Sequence, residues 1–160
     1  EITGRVVSIA HKAGVSVEGE IGFVGYAGTK SSKGTKPSEA VKLVEETGVD
    51  ALAISAGNIH LQTDSSAIID EKLVQKISQK IACPIVLHGA SGLPYQVRRR
   101  LAKSGLVSKF NIGTELRQVF GNSLRDTLAN DPDLFDRLAI LSKLHTPLFD
   151  ATRKVISNLK

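Results

Sequence analysis

The chain has 160 residues, 41% hydrophobic and 23% charged, a composition typical of a globular domain with a sizeable core. It has no apolar run of the roughly 18 residues that a membrane span needs, no secretion signal, and one cysteine, which excludes an internal disulfide. The net charge of +5 comes with 4% aromatic residues, too few for a nucleic-acid stacking surface but compatible with phosphate-bearing small substrates. We therefore expect a cytoplasmic protein that binds neither nucleic acid nor membrane.

Segments with helical spacing and short apolar runs typical of strands alternate along the chain. In chain order they predict a helix at 2–13, a strand at 15–21, a helix from Pro37 to Gly48, a strand at 51–55, a helix at 70–80, a strand at 84–88, a helix at 94–104, a strand at 108–112 and a helix at 115–129. Residues 22–36 are rich in Gly, Ser, Thr and Lys and predict a loop. Beyond Pro132 we expect one or two helices, broken at Pro147.

Four strands that each precede a helix predict a parallel sheet that is covered on both faces. Such a sheet is either a small open α/β sheet or half of an eight-stranded barrel, whose usual size is roughly 250 residues. In both folds the active site lies in the loops that follow the carboxyl ends of the strands. Polar residues and glycines concentrate at these predicted ends, in residues 18–20, 57–60, 88–92 and 111–114.

Two histidines stand at this edge of the predicted sheet. His60 and His88 follow different strands, so their imidazoles can converge above the sheet. They predict a divalent metal site, because zinc is bound by neutral imidazoles from separate elements. The same pattern also fits two hydrogen-bonded histidines without a metal, while His11 and His145 lie away from this edge.

Two glycine-containing turns at the same edge predict a phosphate site. Gly89, Ser91 and Gly92 form a short turn whose amides can surround an anion. Gly113 and Thr114 precede the next helix, whose N-terminal amides can bind the same anion. Ordinary strand-to-helix turns explain each motif by itself, and only their succession favours a phosphate.

Charged residues add two further predictions. Glu18 and Glu20 share one face of their strand, so they can orient a ligand histidine or bind a second cation. At least one of them is equally explained as surface charge at a strand end. The run Arg98 to Arg100 predicts a solvated helix face with a contact to another subunit.

Four motifs in this order resemble the second half of class II fructose-bisphosphate and tagatose-bisphosphate aldolases, namely residues 17–22, 47–53, 86–92 and 109–116. The likeness covers nearly the whole chain. It implies a (β/α)8 TIM barrel, of which residues 1–160 would supply strands five to eight and the C-terminal helices. Because the chain begins with Glu1, inside a helix, and has no methionine, we expect a longer parent chain to supply the N-terminal half. The resemblance also implies a homo-oligomer.

The resemblance implies the chemistry of the site as well. It assigns His60 and His88 as two of three histidine ligands of a catalytic Zn2+, Glu20 and Asn111 as catalytic residues, and Gly89, Ser91, Gly113 and Thr114 as ligands of the substrate phosphate. The metal would polarise the ketone oxygen of dihydroxyacetone phosphate and stabilise its enediolate. The implied activity is that of an aldehyde-lyase acting on a ketose (bis)phosphate in carbohydrate metabolism, such as glycolysis.

Two departures from the family pattern leave alternatives open. In the family, the loop after the fifth strand usually carries an acidic pair, whereas residues 26–30 of this chain read Tyr-Ala-Gly-Thr-Lys. The family also usually has a glycine after the second histidine ligand, where this chain has Leu61. A non-catalytic phosphate-binding or structural barrel domain is therefore an alternative to the aldolase. A metal-free isomerase or epimerase with a phosphorylated substrate is another.

Overall fold

The computed structural model describes residues 1–22, 25–26, 34–60 and 67–160, and of residues 25–26 and 59–60 it describes the backbone alone. The helices are α1 (Ile2–Lys12), α2 (Pro37–Thr47), α3 (Glu71–Ser78), α4 (Tyr95–Lys103), α5 (Thr114–Asn130) and α6 (Arg137–Leu159). The strands are β1 (Glu18–Ile21), β2 (Gly25–Tyr26), β3 (Ala51–Ile54), β4 (Ile59–His60), β5 (Ile85–Leu87) and β6 (Lys109–Phe110).

The four predicted strands form one parallel sheet in the order β1-β3-β5-β6, which confirms the α/β class. Each crossover adds the next strand on the same side, with no reversal of the order. Right-handed crossovers that advance in one direction leave all their helices on one face of the sheet, unlike an open doubly wound sheet, whose strand order reverses. The short strands β2 and β4 form a separate parallel pair, which the sequence did not predict.

One face of the sheet packs against the helices. Leu52, Ile54 and Leu87 are fully buried there and belong to one hydrophobic core with Val74 and Ile77 of α3. Each buried aliphatic side chain of this kind stabilises the fold by about 1.5–3 kcal/mol relative to an exposed one. This apolar face holds the strands in place, so that their carboxyl ends can carry polar side chains.

The opposite face carries charge and is concave. The strand register aligns Glu20, Ala53, Val86 and Lys109 in one row across all four strands. Lys109 on β6 contacts Glu18 on β1, with 2.5 Å between Nζ and Oε2. Because these strands are three spacings apart, about 14 Å in a flat sheet, their side chains meet only if the sheet curves toward this face.

Local sequence sets several element boundaries. Pro37 occupies the first turn of α2, where its missing N–H has no intrahelical partner. Gly48 ends this helix with φ of +69°, in the left-handed region that glycine adopts readily. Asp70 caps α3, because its carboxylate accepts a hydrogen bond from the N–H of Leu73 at 2.9 Å. The predicted boundaries at these residues are confirmed.

The C-terminal helix differs from the prediction. α6 continues through Pro147 for 23 residues without a break, although a proline inside a helix removes a hydrogen bond and costs about 3 kcal/mol. Leu144 and Val155, on either side of Pro147, are both buried, and α6 packs along α4 and α5. Tertiary packing therefore outweighs the local preference. None of the described helices is long and apolar enough to cross a membrane.

Candidate active site

His88, directly after β5, lies between two carboxylates of β1. Its Nε2–H donates a hydrogen bond to Oε1 of Glu18 at 2.8 Å, and its Nδ1 lies 3.6 Å from Oε2 of Glu20. The imidazole is 17% exposed, so water screens these contacts only in part. Both carboxylates reach one histidine because residues two apart on a strand share a face.

Glu18 also binds the ammonium group of Lys109. Burial by itself would raise the pKa of Glu18, but hydrogen bonds from Lys109 and then His88 outweigh it, and the pKa is lowered. Glu18 is therefore held in its ionised form and orients the imidazole. Lys109 was not among the predicted site residues, although its alternation with the apolar Phe110 in the predicted strand was a signal that it shares a face with the charged residues.

Asn58 joins the loop after β3 to the backbone of His88. It is fully buried, and its Nδ2 donates hydrogen bonds to the carbonyls of His88 at 2.9 Å and Ile54 at 3.3 Å. Its Oδ1 accepts a hydrogen bond from the N–H of Ala56 at 2.7 Å. The loop that leads to His60 is therefore fixed against the start of the loop at His88.

The two predicted phosphate turns lie side by side. The hydroxyl of Ser91, a residue 8% exposed, accepts a hydrogen bond from the N–H of Glu115 at 3.3 Å. The N–H of Ala90 donates to the carbonyl of Asn111 at 3.3 Å. A hydroxyl group has one donor and two acceptor sites, so Ser91 can accept from Glu115 and still donate its proton to a ligand.

The remaining residues of these turns stand at helix N-termini. Gly89, with φ of +62°, precedes a 3-10 turn at Ala90–Gly92. Gly113 precedes α5, and Thr114 is the first residue of that helix. The N–H groups of a first helical turn carry partial positive charge and favour an anion. The geometry therefore suits a phosphate, and the assignment of these residues to one stays a prediction.

Arg98 does not lie on a solvated helix face, because it is 5% exposed. Its Nη1 donates to Oε2 of Glu115 at 2.8 Å, and its buried Nε–H has no hydrogen-bond partner in the part of the chain that the structure describes. Arg99 and Arg100 are exposed, as expected. The partner of Arg98 follows 17 residues later, after the next strand, so the basic run gave no local signal of this burial.

The backbone of His60 lies near this site, whereas its side chain is outside the described residues. β4, which ends at His60, pairs with β2 and lies against the turn at Ala90–Gly92. Residues 27–30 and Leu61, which carry the departures from the family pattern, are also outside the described residues. That His60 binds a metal therefore stays a prediction.

The surroundings of His88 fit a divalent cation. The 3.6 Å between its Nδ1 and Oε2 of Glu20 exceeds a hydrogen bond and is close to the about 3.4 Å that separates two ligands of tetrahedral zinc. The bond from Nε2 to Glu18 matches the outer carboxylate that commonly orients a ligand histidine. Among the described side chains, no group of three or more His, Cys, Asp or Glu could hold a metal, so a complete site needs ligands beyond them, such as His60.

Known proteins share this fold. The YdjI aldolase from Escherichia coli K12 is similar at 26% identity with a TM-score of 0.68. A candidate fructose-1,6-biphosphate aldolase from Coccidioides immitis has a TM-score of 0.79, and the fructose-bisphosphate aldolase Fba from Campylobacter jejuni one of 0.68. The last two are 20% identical to this chain, and their likeness shows the fold alone.

Each match covers nearly all of this chain but only about half of the known structure. Between 96% and 99% of this chain is covered, but only between 51% and 56% of each of the three structures. The chain therefore spans about half the length of the structures that it matches. The sequence model described as fructose-bisphosphate aldolase class-II matches all of residues 1–160. By this match the chain belongs to the class II fructose-bisphosphate aldolase family.

Proposed function

We propose that this chain is part of a metal-dependent class II aldolase, an aldehyde-lyase that cleaves or forms a ketose (bis)phosphate. The observation that carries the proposal is the His88 imidazole between Glu18 and Glu20, at the same sheet edge as the two glycine-containing turns. This edge combines groups suited to a cation with groups suited to an anion. Dihydroxyacetone phosphate, with a ketone two bonds from its phosphate ester oxygen, requires that combination.

In this proposal the phosphate binds between the two turns. The hydroxyl and the backbone N–H of Ser91, with the N–H of Gly89, donate hydrogen bonds from one side. The N–H groups of Gly113 and Thr114, at the start of α5, donate from the other side. Asn111, between β6 and α5, binds the reacting end of the substrate.

His60 and His88 would hold the cation, for which we propose zinc, with Glu20 beside it. When bound, the cation supplies electrostatic stabilisation of the negative charge that develops on the ketone oxygen. Glu18 fixes the tautomer of His88, because it accepts the Nε2–H and leaves the lone pair on Nδ1, on the side of Glu20. Glu20 can then move a proton or contribute to a second cation site.

We further propose that the chain supplies strands five to eight of a (β/α)8 barrel. The one-directional strand order and the concave charged face support this, since four strands cannot close a barrel by themselves. The remaining strands would then be provided by the N-terminal half of the same barrel. A homo-oligomeric assembly in the cytoplasm belongs to the same proposal.

The complete protein, with both halves of the barrel, provides the test. Zinc content is measured by plasma mass spectrometry, and a panel of ketose phosphates is screened for release of dihydroxyacetone phosphate in a coupled reductase assay. We expect about one zinc per chain and cleavage of a phosphorylated ketose but not of its unphosphorylated counterpart. Zinc without any cleavage would favour a phosphate-binding barrel domain, and no metal after zinc is supplied would overturn the proposal.

Replacing Glu18 with glutamine should weaken zinc binding by about 10- to 100-fold. Glutamine can still contact His88 and Lys109, but it lacks the negative charge that makes the imidazole a stronger ligand. Competition with a chromogenic chelator measures the affinity. Glu39→Gln is the matched control, because it removes a carboxylate from an exposed ion pair with Lys36 and should leave zinc affinity unchanged. An unaltered affinity in the Glu18 variant would remove Glu18 from the metal site.

A further inference from the structure

An ion pair lies beside the two turns of the proposed phosphate site and joins α4 to the start of α5. Arg98 of α4 contacts the side chain of Glu115, in the first turn of α5. The backbone N–H of the same Glu115 donates to Ser91, and the N–H of Ala90 donates to the carbonyl of Asn111. Two hydrogen bonds therefore link the turn after β5 to residues 111–115, which lead into α5, and the ion pair links α4 to the same segment. Glu115 takes part through both its main chain and its side chain.

Stability alone gives no reason for burying Arg98. A buried ion pair often stabilises a protein no more than apolar side chains of the same volume. The Nε–H of Arg98 adds a penalty, because it is buried without a hydrogen-bond partner among the described residues. α4 is moreover held to α3 by an exposed pair between Arg100 and Glu71. A contribution to stability therefore does not explain the Arg98–Glu115 pair, and a role in the proposed phosphate site next to it is the alternative.

We propose that Arg98 and Glu115 are positioning residues for the phosphate site, an inference that rests on the proposed function. The guanidinium group holds the Glu115 side chain and with it the first turn of α5 against Ser91. Hydrogen-bond donors of both turns then converge on one phosphate without having to be ordered by the ligand. Arg98 also pairs with a carboxylate that would otherwise repel the phosphate.

The Arg98–Glu115 pair could act on phosphate binding by positioning the two turns or simply through its charges, and two variants distinguish these explanations. Arg98→Met leaves the Glu115 carboxylate unpaired, so both explanations predict weaker phosphate binding. Glu115→Ala leaves the guanidinium unpaired, and a charge effect would then strengthen phosphate binding, whereas loss of positioning weakens it. Glu115→Gln keeps an oxygen that can accept from Arg98, so it should restore most of the affinity under the positioning role.

Inorganic phosphate is the probe, titrated by calorimetry into the complete protein, with zinc content measured for every variant. We expect the phosphate dissociation constant to rise about tenfold in Arg98→Met and Glu115→Ala and less than about threefold in Glu115→Gln, at unchanged zinc content. The KM for a phosphorylated ketose should rise more than kcat falls. Arg100→Met and Glu71→Ala are the matched controls, because they break the exposed pair on the same helix, and should leave phosphate binding unchanged.

The outcomes separate this inference from the proposed function. Tighter phosphate binding in Glu115→Ala would overturn the inference, and so would unchanged binding in both Arg98→Met and Glu115→Ala. An equal loss of affinity in the Arg100→Met control, or no phosphate binding by the protein without substitutions, would overturn it as well. The expected pattern of phosphate affinities in a protein that cleaves no ketose phosphate would support positioning while the proposed function fails. If Arg98→Met does not fold, Arg98→Lys takes its place, with an expected rise of a few-fold.

Discussion

Replacing His88 with alanine is expected to remove zinc from the complete protein and to slow retro-aldol cleavage by about 1,000-fold or more. The imidazole is the proposed ligand between Glu18 and Glu20, and without it the described side chains of this cluster offer the metal only the two carboxylates. A catalytic metal stabilises developing charge by several kcal/mol, and each 1.4 kcal/mol corresponds to about tenfold in rate. Zinc content and kcat, measured on the same preparation, check the result.

His145→Ala is the matched control for this substitution. His145 is exposed on α6, which packs along α4 and α5, and its ring stacks against Phe149. This variant should keep its zinc and its rate of cleavage. Full zinc content in His88→Ala would contradict the ligand role, and a loss of cleavage with zinc retained would instead assign His88 to proton transfer or substrate contact.

Replacing Asn58 with alanine is expected to lower the free energy of unfolding of the complete protein by about 3 kcal/mol. The substitution withdraws three hydrogen bonds, to the N–H of Ala56 and to the carbonyls of Ile54 and His88. Asn58 is fully buried, so its three partners lie where bulk solvent does not reach, and leaving them without a hydrogen bond costs free energy. Urea denaturation measures the loss.

Two further variants define what Asn58 contributes. Asn122→Ala removes an exposed amide whose partner is the surface residue Arg125, and it should change the free energy of unfolding by less than about 0.5 kcal/mol. Asn58→Asp keeps an acceptor for Ala56 but turns a carboxylate oxygen toward the His88 carbonyl, so it should destabilise at least as much as alanine. Equal stabilities of the Asn58→Ala and Asn122→Ala variants would show that the loop does not depend on these bonds.

The parts of the fold that could be predicted from the sequence depend on local chemistry. Pro37 and Gly48 act through their own backbone preferences, and Asp70 caps the helix that directly follows it by accepting a hydrogen bond from Leu73. The parallel sheet follows from the alternation of apolar runs and helices. The break at Pro147 was a local prediction as well, and it failed because burial of α6 on either side of the proline outweighs the lost hydrogen bond.

The contacts that build the site could not be predicted, because their partners are far apart in sequence. Lys109 and Glu18 are separated by 91 residues, and their contact depends on the curvature of the whole sheet. Arg98 has the sequence surroundings of a solvated arginine and is buried because of Glu115 in the following unit. The sequence identifies which residues stand at the strand ends, but not which of them touch.

The concave face has a charge balance that bears on the order of binding. Glu18 and Glu20 bring two formal negative charges and Lys109 brings one positive charge, so this cluster with an uncharged imidazole has one negative charge in excess. A divalent cation would turn that excess into one positive charge. Under the proposed function, the field at the mouth of the site would repel a sugar phosphate before the metal binds and attract it afterwards. Under that proposal, the charge of this cluster would favour binding of the sugar phosphate after the metal rather than before it.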